Sequence, residues 1–310
     1  MSTRQIQMWS KPRRILLATG LTDLKFTLPV AIQQALAYKA ELRIAHVLPD
    51  GSDSAPDSAL EGNSELDRVR KDAEKQLEAA VAQATAAGVC CSSHLAFGDV
   101  VNELIGLSKR WKAERLIAGS HGKAKLHPHI LGSSAEALFH RIEIPVLAVG
   151  YKAISKVTSA KDRMRIVLAS SLERDAQRIA KFALSVAESH HADIWLVHVI
   201  SNAVQEHPTA ATIHACAQNM LQDILKLHPI QQCRPTCDVV YGQPVESILA
   251  YAARRSADMI ILGASAHSAF DARFIPGKAY RVLCESPCPV LVLKQESAWV
   301  QGTAVAAVGI

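Results

Sequence analysis

The sequence predicts two consecutive open parallel-sheet α/β/α domains, over residues 1–150 and 151–310. Three observations point there. The chain repeats itself once. Each copy alternates short aliphatic runs with helical patterns. Those runs are apolar almost throughout, as strands covered on both faces must be. At 310 residues with 49% apolar content, there is material for two ordinary cores.

The repeat is read directly. Arg14-Ile15-Leu16-Leu17-Ala18 returns as Arg165-Ile166-Val167-Leu168-Ala169, and Ala45-His46-Val47-Leu48 as Val197-His198-Val199-Ile200, an offset of about 151. Farther on, Leu116-Ile117-Ala118-Gly119 pairs with Ile260-Ile261-Leu262-Gly263, and Ile144-Pro145-Val146-Leu147 with Cys288-Pro289-Val290-Leu291, an offset of 144. The second copy is therefore shorter in its middle.

In the first copy RRILLA reads as a strand, LPVAIQQALAYKA as a helix and ELRIAHVLP as a strand. The stretch 49–64 is rich in Ser, Asp, Pro and Gly and predicts a surface loop. A long helix follows, with Leu66, Val69, Ala73, Leu77, Ala80, Val81 and Ala84 forming one apolar face. SSHLAF, VNELIGLSKRWKA, RLIAG, SAEALFHRI and PVLAVG then complete the strand–helix alternation. Residues 151–163 are polar and aperiodic, as a linker is, and the segment from Ser297 to Ile310 has no counterpart in the first copy.

Charge excludes some classes of function. The net +5 is spread evenly: residues 1–150 hold 18 of the 34 basic and 16 of the 29 acidic side chains. With 5% aromatic residues and no basic run interleaved with stacking rings, nucleic-acid binding has no support. No apolar run approaches signal-peptide or membrane-span length, so the expectation is a soluble cytoplasmic protein with reduced thiols at all seven cysteines. Cys233-x3-Cys237 and Cys284-x3-Cys288 are spaced more widely than zinc knuckles and read as buried thiols, with a redox-sensitive Cys284–Cys288 pair as the alternative. His46 and His198, at equivalent strand positions, read as histidines satisfied by their neighbours.

The informative stretch is GSHGKAKLHPHILGSS, residues 119–134. It follows an apolar strand and leads into a helix, so in an open parallel sheet it lies where ligands bind. Gly119 and Gly122 permit a nest of backbone N–H groups. Gly132, Ser133 and Ser134 sit at a helix start, where free N–H groups and the helix dipole favour an anion, with phosphate the natural occupant. No P-loop, dinucleotide fingerprint, hydrolase elbow or zincin motif is present, and no acid precedes Glu136 in this loop. Binding without rapid turnover is the expectation, with at most weak ATP hydrolysis.

Gly119-x2-Gly122-x9-Gly132-Ser133 resembles the signature of ATP-binding universal stress proteins, and the likeness covers both copies, as in the tandem bacterial type. The resemblance implies the adenine-nucleotide α-hydrolase-like fold. It places ATP or another adenine nucleotide, with or without Mg2+, against Gly119, His121, Gly122, Gly132, Ser133 and Ser134, with the adenine near Ala18, Thr19 and Val47. Gly20 departs from the pattern, which has an acid directly after Thr; Asp23 lies three residues on. The second copy departs further. Ala266 replaces the second glycine, Lys278 follows Gly277 where a hydroxyl is expected, and Ser171 stands at the acid's position. That site is expected to be structural, or to take something other than ATP, with Arg273 and Lys278 able to hold an anion by charge. The resemblance implies a stress-response sensor, an intramolecular pseudo-dimer, open to further homodimerisation, and unidentified protein partners. A nucleotide-free tandem scaffold and a slow ATPase are the alternatives.

Overall fold

The computed structural model describes residues 8–49, 59–120, 133–150, 163–173, 175–264 and 277–294. The linker and C-terminal readings lie outside these residues, apart from Arg163. The first copy contains β1 (Arg14–Ala18), α1 (Leu24–Tyr38), β2 (Glu41–Leu48), α2 (Ala59–Ala86), β3 (Cys91–Phe97), α3 (Val100–Arg110), β4 (Arg115–Gly119), α4 (Ser133–Arg141) and β5 (Val146–Val149). The second contains β6 (Arg165–Ala169), α5 (Ala176–Ser189), β7 (Asp193–Ile200), the short α6 (Asn202–Gln205), α7 (Ala210–Lys226), β8 (Arg234–Tyr241), α8 (Pro244–Arg254), β9 (Met259–Ala264), α9 (Lys278–Glu285) and β10 (Val290–Lys294).

All ten strands form one sheet, in the order β3-β2-β1-β4-β5-β10-β9-β6-β7-β8. Every pairing is parallel except one. β5 and β10 run antiparallel, with Val146 opposite Val292, Leu147 opposite Leu291 and Ala148 opposite Val290. Leu147 and Leu291 are each other's repeat equivalents, so a pseudo-twofold axis passes through that pair and makes the chain an intramolecular pseudo-dimer.

The hydrophobic interior departs from one core per copy. It divides by sheet face, and each face is shared by both copies. Ile15, Leu17, Leu42 and Ile44 join Ile166, Leu168, Ile194 and Leu196 on one face, under α1, α2, α5 and α7. Leu16, Ala18, Ala45 and Val47 join Val167, Val197 and Ile260 on the other, under α3, α4, α8 and α9. The alternation follows from the strand's period of two. The physical reason for sharing is the β5–β10 ladder, which runs the sheet unbroken from copy to copy.

Polar contacts reinforce the junction. Ser10 and Ser185 hydroxyls lie 2.7 Å apart, His190 Nε2 lies 2.8 Å from the Tyr38 hydroxyl, and Lys294 donates to the His140 carbonyl in the last turn of α4 at 2.5 Å. Arg115 is fully buried, with no acidic partner among the described residues. It donates to Gln34 Oε1 at 2.7 Å and to the Trp9 carbonyl at 3.0 Å, and stacks on the Tyr38 ring.

Two sequence expectations are corrected. α2 begins at Ala59, inside the stretch read as loop, because Ala59-Leu60-Glu61 are strong helix formers. Among its described side chains the apolar face is buried from Ala73 onward, while Leu66 and Val69 are 51% and 40% exposed: a helix of 28 residues, about 42 Å long, overruns the eight-residue strand β2, about 26 Å.

Candidate functional site

Within each copy the strand order reverses direction between the first and fourth strands, β1 and β4 in one, β6 and β9 in the other. Ligands in open α/β sheets bind beyond the carboxyl ends of the strands at such a switch point. Ala18 ends β1, with Thr19 directly after it; Gly119 ends β4; Val47 lies in β2; Ser133 and Ser134 open α4, Ser134 exposed. His121, Gly122 and Gly132 lie outside the described residues. The structure thus brings Ala18, Thr19, Val47 and Gly119 to one sheet edge.

The loop after β1 is tightly specified. The Leu21 N–H donates to Thr19 Oγ1 at 2.9 Å, and Leu21 adopts φ +68°. Its counterpart Leu172 has φ +58°, with its N–H 3.3 Å from Ser170 Oγ. A bulky residue in this region costs roughly 1–2 kcal/mol, so both copies hold a strained turn at the same place. The histidines are satisfied as expected: His46 Nδ1 donates to the Thr19 carbonyl and His198 Nδ1 to the Ser170 carbonyl, each at 2.8 Å.

Asp23 is the residue whose role the sequence does not reveal. It precedes α1 yet makes no side-chain cap bond to that helix. Its carboxylate turns back, accepting from Thr19 Oγ1 at 2.5 Å and from the Gly20 N–H at 3.1 Å. It thereby brings an acid to the Thr19–Gly20 turn that has none of its own. A Cβ on Gly119 would lie 2.5 Å from Asp23 Oδ2, so the glycine is required for the carboxylate to reach its place. Burial pushes the Asp23 carboxyl above its ordinary value, against the hydrogen bonds from Thr19 and the backbone and the pull of His46. The usable signal was the Thr-x3-Asp spacing at a helix start.

In the second copy the corresponding edge forms a half-open cavity of about 220 Å³. Ala169, Ser170, Val199 and Gly263, the counterparts of Ala18, Thr19, Val47 and Gly119, all line it, together with Lys278. Arg273 lies outside the described residues. The cysteines Cys233, Cys284 and Cys288 are buried, and burial pushes the Cys233 thiol up to about 12, helped by Glu188. Among the described residues no group of three or more His, Cys, Asp or Glu is placed to hold a metal ion. No helix among them is long and apolar enough to cross a membrane.

The fold defines a tandem of two parallel α/β domains, each with a switch point in its strand order. The universal stress protein family matches residues 11–150 and 163–294, and the chain belongs to that family. A universal stress protein of Thermus aquaticus is 26% identical over 134 residues, covering 42% of this chain and 97% of the relative. Among solved structures, a universal stress protein from Archaeoglobus fulgidus superposes with TM-score 0.72 at 20% identity, over 93% of this chain and 98% of that one. A putative universal stress protein from Pseudomonas aeruginosa gives 0.58 at 17% identity, over 92% and 94%.

Proposed function

We propose that the chain is a stress-response sensor that binds ATP or a related adenine nucleotide in its first copy and changes conformation or partner preference with occupancy. The observation that supports this reading is the turn at Thr19–Asp23 lying against Gly119 at the end of β4, where a Cβ on the glycine would meet the Asp23 carboxylate. The Gly119-x2-Gly122-x9-Gly132-Ser133 spacing spans that place. Ala18, Thr19 and Val47 would face the base, and the N–H groups of the 119–134 segment, with Ser133 and Ser134, the phosphates. Mg2+, when present, would neutralise phosphate charge, with Asp23 the nearby acid. The residues suit holding a nucleotide more than splitting it, so hydrolysis is slow or absent.

The test is direct. Native protein, heat-denatured, should release adenine nucleotide detectable by mass spectrometry, and stripped protein should give a saturable calorimetric response to ATP that Gly132→Asp abolishes. Empty protein with no response to ATP would sink the reading. The nucleotide-free scaffold would then stand, favoured by the Gly20 N–H being already bonded to Asp23.

A further inference from the structure

The second copy's cavity differs chemically from a nucleotide cradle. Most of its wall is aliphatic, including Leu168, Ile179, Val197, Ile248, Leu262 and Val282. Its polar lining comprises Ser170, Ser171, Glu173, His198 and Lys278. The cavity volume is about 220 Å³. That is less than the ~300–1,000 Å³ that encloses drug-sized ligands.

Lys278, a solvent-exposed side chain, is the one cation lining the cavity among the described residues. It opens α9, where a positive charge meets the positive end of the helix dipole, and no acid stands in the first turn. Gly277 at the cap offers no side-chain acceptor to the leading N–H groups of the helix. Water screens this positive end at the mouth of the cavity, so an anion at Lys278 adds one modest charge-assisted contact while an apolar body fills the space behind. Glu173 on the same lining opposes a second negative charge, and a lone ammonium suits a monoanion better than a polyphosphate.

We propose that this cavity binds a small organic monoacid, its carboxylate at Lys278 and its aliphatic body against Leu168, Ile179 and Leu262. The site is separate from the first copy's nucleotide site and does not depend on it.

Octanoate and 1-octanol, equal in chain length and differing in charge, are titrated calorimetrically into the full-length protein. Octanoate should bind about tenfold tighter than octanol, the expected gain from one charge-assisted contact. Lys278→Met should erase that preference while leaving octanol binding within about twofold. Ser171→Trp, at an exposed position on the lining, should weaken both ligands by tenfold or more. Saturating ATP should leave octanoate binding unchanged. Equal affinity for the two ligands, no binding of either, octanoate binding indifferent to Lys278→Met or Ser171→Trp, or displacement by ATP would each overturn the proposal. Circular dichroism of both variants separates loss of binding from loss of fold.

Discussion

The guanidinium of Arg43 lies over the ring of Trp111, 4.6 Å from its centroid, and in the second copy the same pair recurs with the partners exchanged. There the strand supplies the ring and the helix end the cation: Arg255 stands 5.1 Å above Trp195. Arg43 and Trp195 are the third residues of β2 and β7, and Trp111 and Arg255 follow the last residues of α3 and α8. Each cation is held by further partners, Arg43 by Ser92 Oγ at 3.1 Å and Arg255 by Asp238 at 3.2 Å. The two copies have kept an interaction without keeping its residues in place.

This exchange predicts that the interaction tolerates inversion. Trp111→Ala or Arg43→Ala should destabilise the chain by about 1 kcal/mol, and a double-mutant cycle should show coupling of about 0.5–1 kcal/mol. The swap Arg43→Trp with Trp111→Arg should recover most of the single-variant loss in denaturant titrations. A swap no better than the sum of its singles would mean that the contact is incidental.

A second prediction concerns cooperativity. The cores on both sheet faces cross from one copy to the other through the β5–β10 ladder, so the copies should unfold together in a single calorimetric transition. Leu147 and Leu291 are fully buried on the pseudo-axis. Leu147→Ala and Leu291→Ala should each cost about 2–5 kcal/mol, with a double variant that is clearly non-additive because the two side chains oppose each other. Two resolved transitions in the unaltered chain would contradict a shared interior.

Much of the fold was legible because fully buried parallel strands are written as unbroken aliphatic runs, and RILLA, RLIAG and MIILGA became β1, β4 and β9. The division of the core was not, since a tandem repeat says which residues are equivalent but not that Leu147 meets Leu291 across an antiparallel ladder. Leu66 and Val69 carried helical periodicity without burial, because period reports the face of a helix and not what lies beneath it. At the site, chain order placed Thr19 and Gly119 near one another only once the strand order was known. Asp23 was visible as the nearest acid but its direction was not, because an Asp before a helix ordinarily caps that helix, as Asp99 does for the Asn102 N–H at 2.8 Å, whereas Asp23 turns the other way.

That turn yields a third prediction. Folding raises the Asp23 carboxyl above its ordinary value, so the group favours the folded state when protonated, and this contribution is lost as pH rises through the folded value. Asp23→Asn keeps an oxygen for Thr19 and Gly20 and removes the buried charge. The variant should therefore be more stable than the parent at neutral pH, with the gain vanishing in acid. Gly119→Ala should instead force the carboxylate off Thr19 and lose about 1–3 kcal/mol. Thermal melts of the three proteins between pH 3 and 8 check both signs.

The last prediction sits at the junction between copies. His190 is held neutral far into acid, its value pushed down to about 4 by burial and by the positive charges of Arg115 and His191. Its ring meets Tyr38 edge to face with centroids 5.0 Å apart, and Arg115 lies over the same tyrosine at 5.0 Å. Protonation would bring a second cation to a ring already facing one. The unfolded chain takes up this proton near the ordinary value of 6.5, the folded chain only near 4. Stability from this group is therefore complete above 6.5, declines as pH falls toward 4, and changes no further below it. The decline should amount to roughly 3 kcal/mol. His190→Gln retains a polar partner for Tyr38 but cannot titrate, so its denaturation free energy should fall less steeply than the parent's across that window. Parallel curves for the two proteins between pH 6.5 and 4 would show that the junction does not sense the proton.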